Sequence, residues 1–449
     1  MSAHWEGMAR EAVAWMKTQS SEAFAELYLS RQERWMRSSR DGAQDGIETS
    51  EIFGAGVRIL REGRVAFASA AGADLAAIKG LYSRALRQLP LCEPEALRVL
   101  PGPQEQVDQS ALAETLWDED IFSHSLERIS DRMREGEAAA RDGRGDVKIL
   151  RFDYEVNRCA TLVAGTSGLF SSQKATWARS NAAVAVEAND GVHVGEGSRA
   201  SRRAAALDCA AAGREAGQRA LSLLDARRAA SGKCAVLFEP WVGAEFIAVL
   251  ADWLSAREVQ RGRSPLSGQI GRRVASPLVT VRDDPRRPGG FASSLFDDEG
   301  LATRDKALIE GGILGEYLHD AASASRAGHS SNGCAIRDSY AHRPVPGASN
   351  LHLAAGRASR EALIADTPAG ILVSEVLGMH MVDPVSGAFS VGVSGRAIER
   401  GAIVHAVKGA MISGHLLELM GRVDGVADDL AFYGRAGSPT FRVERLDVA

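Results

Sequence analysis

The amino-acid sequence predicts an α+β protein in which two α/β N-terminal units precede a β-rich C-terminal domain with a few packed helices. Three observations lead to this class. In the first half, apolar residues recur three and four positions apart, as in amphipathic helices. Glycine-bearing turns between runs of alternating apolar residues predict hairpins at three places. From residue 231 onward, strand and turn signals predominate. The predicted units are 1–90, a linker over 91–112, 113–230 and 231–449.

Each of the first two units combines helices with extended segments. Their helices are expected over 5–17, 75–89, 121–140 and 201–229. In the first unit, apolar residues at period two flank Glu62-Gly63 and predict a hairpin. The Pro-, Glu- and Gln-rich stretch after residue 90 is typical of a linker. The helix over 201–229 alternates arginines with acidic residues, which indicates a solvated connector with one packed face.

The third unit begins with a strand followed by a helix. The run CAVLFEPWVG over 234–243 predicts a buried strand that ends in a loop. After it, apolar residues at i, i+3, i+4, i+7 and i+8 form one stripe: Phe246, Val249, Leu250, Trp253 and Leu254. Glu245 and Asp252 are expected on the opposite face. Further hairpins are expected at 310–312 and 399–401, where glycine accommodates positive φ, and a helix over 410–420.

Composition limits the classes of function. The chain has 449 residues, 45% of them hydrophobic, and a formal charge of −5, which argues against a nucleic-acid partner. There is no apolar run long enough for a membrane span and no apolar signal region at the N-terminus. Five scattered cysteines without a C-x-x-C pair are typical of reduced thiols. We therefore expect a cytoplasmic protein that acts away from membranes.

Local catalytic motifs are missing from the sequence. It contains no H-E-x-x-H, G-x-S-x-G, Walker A or G-x-G-x-x-G pattern. Four histidines lie within residues 319–352 and form a metal site only if the fold brings them together; structural roles are the more common outcome for such residues. Cys334, in a glycine-bearing loop near these histidines, is the one candidate for a thiol nucleophile, although a small loop residue is the simpler interpretation.

An acidic cluster and a His-Asp pair are the remaining polar candidates. Asp297, Asp298 and Glu299 are adjacent, so they splay apart and do not offer the alternate-position ligands of a hard-cation loop. A turn is the preferred interpretation, with these carboxylates accepting hydrogen bonds from backbone N–H groups or from Arg304. His319 and Asp320, placed on a strand, are expected to point to opposite faces and so not to form a dyad, although either one can line a groove.

Long segments of the third unit resemble a known family. Residues 283–333, which include GGFASSLFDDEG and ALIEGGILGEYLHD, together with PGASNLHLAAG and GAFSVGVSGRAIERG, closely resemble the C-terminal domain of the TldD/PmbA family. The segments GVRILREGRVAFASA and TSGLFSSQKATWARS resemble the family's first and second domains in the same order. The resemblance extends over nearly the whole chain.

The resemblance implies a role without metal. TldD-type members are zinc peptidases that carry H-E-x-x-x-H in the helix after VLFEP and a cysteine ligand near the C-terminus. Aligned on the preceding proline, these helical positions are Ala248, Val249 and Trp253 here, and no cysteine follows Cys334. The ending GSPTFRVERLDVA instead resembles that of the TldE/PmbA type, the metal-free subunit that pairs with TldD.

The resemblance therefore implies a non-catalytic subunit of a two-chain zinc metallopeptidase that cleaves unfolded or extended peptides. Its partner would be a TldD-like H-E-x-x-x-H subunit that holds the zinc, in a heterodimer, with no cofactor in this chain. Residues that then become candidates for the wall of the substrate cavity are Asp297, Asp298, Arg304, His319, Asp320 and Cys334. Two alternatives stay open: a homodimeric peptide-binding module, and an autonomous hydrolase that uses Cys334 or a His/Asp site.

Overall fold

The computed structural model describes residues 3–104, 109–188 and 191–449. Six strands of its N-terminal half form one antiparallel sheet in the order β3-β2-β1-β4-β5-β6. These strands are β1 Phe24–Arg40, β2 Ala43–Arg61, β3 Arg64–Ala71, β4 Val147–Gly165, β5 Phe170–Ala188 and β6 Gly191–Ser201. Strands β1 and β4 pair from Glu26 opposite Gly165 to Ser39 opposite Phe152. The two predicted N-terminal units therefore contribute three strands each to a single sheet.

Helices cover the two halves of this sheet separately. They are α1 Ala3–Gln19, α2 Leu75–Gln88, α3 Ser110–Leu116, α4 Leu126–Arg141 and α5 Cys209–Leu221. The apolar residues of α1 and α2 share a core with β1–β3, whereas those of α4 and α5 share a core with β4 and β5. Helices α4 and α5 approach so closely that a side chain at Gly213 would lie 1.9 Å from the carbonyl oxygen of Gly136.

Two predicted helices of the second unit are shorter than expected. Helix α4 begins at Leu126 and not near 121, because the Ser125 side chain accepts a hydrogen bond from the Arg128 N–H and caps the helix. The predicted helix over 201–229 is confined to Cys209–Leu221. Asp208 caps its start by accepting from the Ala211 N–H. Beyond its end, a short strand β7, Arg227–Arg228, pairs with the C-terminal domain.

The C-terminal domain contains two larger sheets and a two-stranded ladder. A seven-stranded sheet has the order β18-β21-β8-β15-β16-β17-β7, and a six-stranded sheet has the order β11-β10-β9-β14-β20-β19. The first comprises β7 with β8 Gly232–Phe238, β15 Ala369–Leu377, β16 Ala388–Glu399, β17 Ala402–His415, β18 Val423–Val426 and β21 Phe441–Val448. The second comprises β9 Val281–Asp283, β10 Lys306–Glu310, β11 Ile313–Leu314, β14 Leu351–Leu353, β19 Ala431–Tyr433 and β20 Ala436–Ser438. Strands β12 Ala335–Ile336 and β13 Val345–Pro346 form the ladder.

Five helices belong to this domain: α6 Pro240–Leu254, α7 Ala256–Gln260, α8 Ala321–Ala327, α9 Arg360–Ala365 and α10 Leu416–Gly421. Helix α6 contacts strands of both large sheets and contributes to the main apolar core. The helix predicted over 410–420 starts only at Leu416, because Ala410–His415 continue β17 and pair with β16. None of the helices in the described ranges is long and apolar enough to cross a membrane.

The three predicted hairpins are confirmed. Each is closed by two residues with positive φ, as type I′ turns require. These φ angles are 51° and 75° at Glu62-Gly63, 52° and 78° at Gly311-Gly312, and 51° and 77° at Arg400-Gly401. The mixed architecture, with a β-rich C-terminal domain and a few packed helices, is the predicted α+β class.

Candidate functional site

Helix α6 holds the three positions at which the resemblance places zinc-binding residues. It begins where β8 ends, with extended Glu239 as its N-cap and Pro240 in its first turn. Proline is favourable there because the N–H groups of the first turn make no hydrogen bond within the helix. Ala248 is exposed and Val249 is half-buried, whereas Trp253 is 1% exposed. The Trp253 Nε1–H donates to the carbonyl oxygen of Pro384 at 2.7 Å. The three positions thus differ in environment, and Trp253 is a core residue, as the predicted stripe implies.

The polar face of α6 carries two carboxyl groups. Burial raises the pKa of Glu245, whose Oε2 is buried without a hydrogen-bond partner among the described residues. Burial, together with the nearby Glu258 carboxylate, raises the pKa of Asp252. The apolar face matches the prediction except that Val249 is only partly buried against the core, whereas Ile247, outside the predicted stripe, is fully buried in it.

The acidic cluster forms the predicted turn. Asp297 Oδ1 accepts from the N–H groups of Glu299 at 2.9 Å and Leu301 at 3.0 Å, and its Oδ2 accepts from the Ala335 N–H at 3.0 Å. Burial and the neighbouring Glu299 carboxylate raise the pKa of Asp297 well above its ordinary value. Burial also raises the pKa of Asp298, which accepts from the Arg337 N–H at 2.7 Å. The cluster is therefore held by backbone donors.

The cluster also joins the C-terminal domain to the N-terminal sheet through buried ion pairs. Arg58 on β2 donates to Glu299 at 2.8 Å and to Glu26 on β1 at 2.5 Å. Arg337 pairs with the other oxygen of Glu26. The side chains of all four residues are at most 2% exposed. Of the two kinds of donor expected for the turn, the structure shows the backbone N–H groups, whereas Arg304 lies on the surface and pairs with Glu316 at 3.0 Å.

Cys334 lines a small cavity together with two of the acidic candidates. The cavity has a volume of about 250 Å³, lies between β5 and the C-terminal domain, and has Asp297, Asp298 and Cys334 in its wall. Burial raises the pKa of the Cys334 thiol to about 12. The nearby Lys306 ammonium lowers the pKa of the thiol, but burial has the larger effect, and Asp283, which lies 3.3 Å from Lys306, raises the pKa. At neutral pH the thiol is therefore protonated and a poor nucleophile.

His319 and Asp320 are not among the lining residues of this cavity, and their local structure differs from the one predicted. They precede α8 in a loop and do not lie on a strand. Asp320 is the N-cap of α8 and forms a capping box with Ser323. His319 Nδ1 lies 3.5 Å from the Ser323 hydroxyl, and burial lowers the pKa of His319. Asp320 thus has a structural role that its sequence position at a helix start could have indicated.

The four histidines of residues 319–352 are not gathered at one point. The rings of His319 and His329 lie 6.0 Å apart. His342 Nδ1 lies 3.0 Å from the Ser339 hydroxyl. His352 Nδ1 lies 3.0 Å from the carbonyl oxygen of Asn350, and its ring packs against Phe432. Each of these four histidines thus has a local contact of its own, and they do not form a common cluster.

The structure also contains a larger groove that the sequence did not predict. It has a volume of about 1040 Å³ and lies between α5 and the part of the C-terminal domain formed by the start of α6, α9 and the turn between β16 and β17. Among the described residues, its walls carry five arginines: Arg199, Arg214, Arg219, Arg360 and Arg396. The arginines of 201–229 indicated only a solvated connector, because their convergence with arginines about 150 residues later depends on packing of the two halves.

Comparison with known proteins identifies two matched regions. Residues 25–89 match the family model of PmbA/TldA metallopeptidase domain 1. Residues 231–449 match the model of the PmbA/TldA metallopeptidase C-terminal domain. The second region contains helix α6 and both larger sheets of the C-terminal domain except β7, and the first contains the first hairpin and α2.

Curated relatives carry metalloprotease names. The chain is 35% identical over 217 residues to the metalloprotease TldD homolog of Haemophilus influenzae, which covers 48% of this chain and 45% of the relative. It is 27% identical over 218 residues to the metalloprotease PmbA of Escherichia coli O157:H7, which covers 49% and 46%. The chain thus spans about half the length of the curated relatives that it matches.

Solved structures share the fold over almost the entire chain. A candidate DNA gyrase modulator from Thermotoga maritima superposes with a TM-score of 0.89 at 23% identity, covering 98% of this chain and 99% of that one. TldE from Thermococcus kodakarensis superposes with a TM-score of 0.85 at 21% identity, covering 98% and 100%. At these identities the likeness is one of fold.

Proposed function

Because this chain belongs to the TldD/PmbA family, we propose that it is the non-catalytic, TldE-like subunit of a two-chain zinc metallopeptidase. The observation that carries the proposal is the chemistry of α6. Ala248, Val249 and Trp253 present a methyl group, an isopropyl group and an indole, none of which binds zinc. The residues present at these positions therefore do not fit the metal, and we assign zinc to the partner.

The proposed partner is a TldD-like subunit with an H-E-x-x-x-H helix, in a heterodimer with this chain. Two observations support it. The chain has the same fold as a protein named TldE, and its relatives include proteins named TldD and PmbA. The exposed Ala248 also leaves a short side chain on α6, between Glu245 and Asp252, at which a second chain can approach closely.

Within the complex, this chain would supply part of the wall of a cavity that takes unfolded or extended peptides. An extended peptide can add as a strand to an exposed sheet edge, and pairing through the backbone tolerates many sequences. We place the complex in the cytoplasm and away from nucleic acid, because all five cysteines are free and the chain is acidic.

Reconstitution with purified chains tests this proposal. A zinc peptidase needs the metal to activate water and a glutamate as general base. We expect no hydrolysis of an unfolded peptide by this chain alone, hydrolysis on mixing with the H-E-x-x-x-H partner, and none when the partner's motif glutamate is changed to Gln. Hydrolysis by this chain alone that survives a chelator would overturn the proposal.

Two further measurements examine the metal and the interface. Metal analysis after extensive dialysis should find no stoichiometric zinc in this chain; one tightly held zinc would contradict the TldE-like assignment. Ala248→Glu should weaken complex formation in size-exclusion chromatography without changing the unfolding curve. The matched control is Arg144→Glu, which changes an exposed residue paired with Asp146 on the N-terminal half.

A further inference from the structure

The arginine groove carries an excess of positive charge in an acidic chain. Among the described residues that line it, five arginines face three glutamates, Glu215, Glu239 and Glu361. The chain as a whole has a formal charge of −5. The groove is therefore a local positive region, and low-dielectric walls strengthen the potential inside such a cleft.

One side of the groove leaves guanidinium donors unused. Glu239 Oε1 accepts from Arg360 Nη2 at 2.5 Å and from Arg396 Nη2 at 2.9 Å, so two arginines bind the same oxygen through one nitrogen each. The Nε of Arg396 is buried without a hydrogen-bond partner among the residues that the structure describes. A guanidinium carries five N–H donors in a planar fork that fits a carboxylate with two parallel hydrogen bonds. A second carboxylate would satisfy donors that Glu239 does not.

The opposite side has a similar arrangement with aromatic support. Glu215 pairs with both Arg199 and Arg219 and accepts from the Tyr433 hydroxyl at 3.2 Å. The Arg219 guanidinium lies 4.7 Å from the centroid of the Trp241 ring. The Trp241 and Tyr433 rings meet edge to face at 4.9 Å. These rings hold the arginine in place and give the groove an apolar wall.

We propose that this groove binds an extended peptide through carboxylate groups, either acidic side chains or the free C-terminal carboxylate. The groove is far larger than a single small anion requires, and its combination of arginines with aromatic rings suits a chain that has both charged and apolar groups. The inference rests on the proposed function for the peptide class of ligand, and it adds that peptides which present a carboxylate to the groove are preferred.

Fluorescence anisotropy with this chain alone tests the preference. The probes are fluorescein-labelled octapeptides of one sequence, with either Glu or Gln at two positions and with a free or amidated C-terminus. We expect the Glu peptides to bind at least about tenfold more tightly if side chains are read, and the free acids to do so if the C-terminus is read. In either case, 0.5 M salt should weaken the favoured peptide most.

Variants locate the binding. Arg396→Gln should weaken the favoured peptide by roughly tenfold, which is the loss of one charge-assisted hydrogen-bonded pair. Arg214→Gln, at an exposed position in the same groove, should weaken it several-fold and protects the test if Arg396→Gln unfolds. Arg144→Gln, outside the groove, should leave binding unchanged.

Equal binding of all four peptides, or an equal loss with Arg144→Gln, would overturn the inference. Its failure is distinguishable from failure of the two-chain assignment. Selective binding by a chain that never activates an H-E-x-x-x-H partner removes the assignment and leaves the groove specificity standing. Activation of the partner without selectivity for carboxylates keeps the two-chain assignment and removes the proposed specificity of the groove.

Discussion

Replacing Arg58 with Met should strongly destabilise the contact between the N-terminal sheet and the C-terminal domain. Arg58 donates to Glu299 at 2.8 Å and to Glu26 at 2.5 Å, and its side chain is 2% exposed. In its absence Glu26 retains Arg337, whereas the one donor left to Glu299 in the described part of the chain is the Ala321 N–H at 2.7 Å. Leaving one buried charge without its partner typically costs about 3–5 kcal/mol, so we expect a loss of that size in the free energy of unfolding.

A second substitution separates this explanation from a general packing defect. Glu299→Gln removes the unpaired charge and keeps an oxygen for the Ala321 N–H. Added to Arg58→Met, it should restore about 1–3 kcal/mol, although alone it should destabilise the protein. The assay is urea unfolding at pH 7, followed by tryptophan fluorescence and circular dichroism, for the four proteins of a double-mutant cycle.

The pH dependence gives an independent check. Burial raises the pKa of Glu299, and the Arg58 guanidinium lowers it. Loss of Arg58 therefore raises the pKa further, so the native state binds a proton more tightly than the unfolded state does. The cost of Arg58→Met should then shrink as the pH falls from 7 toward 5. A cost below about 1 kcal/mol, or additive effects of the two substitutions, would refute the reasoning.

Three further outcomes follow from single residues. Trp253→Ala should lower the free energy of unfolding by about 3–5 kcal/mol, because the ring is buried and donates to Pro384; an unchanged urea midpoint would contradict the packing of α6. Burial raises the pKa of Asp298, so its stabilising protonation is lost as the pH rises through that pKa. Wild type should consequently lose stability relative to Asp298→Asn in urea unfolding as the pH rises from about 3.8, the ordinary pKa of this group, through its raised pKa, and parallel pH curves would count against this prediction. Native Cys334, with a pKa of about 12, should resist iodoacetamide at pH 8 while partly exposed Cys92 reacts; rapid labelling at Cys334, mapped by mass spectrometry, would reopen the thiol-hydrolase alternative.

Helix α6 shows which features of burial the spacing of apolar residues can predict. The spacing of its apolar residues predicted a helix with Trp253 in the core, and the structure confirms both. It did not predict that Val249 would be half-buried while Ile247 lies in the core. A helix that contacts two sheets buries a wider arc than one stripe, and the width of that arc depends on where the sheets lie.

In the candidate site, the acidic cluster likewise has one contact that the sequence predicted and one that it did not. A turn built on Asp297 was predictable, because the N–H groups of Glu299 and Leu301, which donate to its Oδ1, are close in sequence. The partner of Glu299 was not, because Arg58 lies 241 residues away. Sequence proximity favoured Arg304, whose guanidinium instead binds Glu316 on the surface.

The sequence by itself determined the α+β class, the three hairpins, the family and the absence of ligating atoms at Ala248, Val249 and Trp253. These features depend on local patterns of apolar residues and glycine, or on residue identity alone. Only the tertiary structure decided that the first two units share one sheet, that Arg58 joins Glu26 to Glu299, and that five arginines converge on one groove. Such contacts form between segments far apart in the chain, and local propensity carries no information about which segments meet.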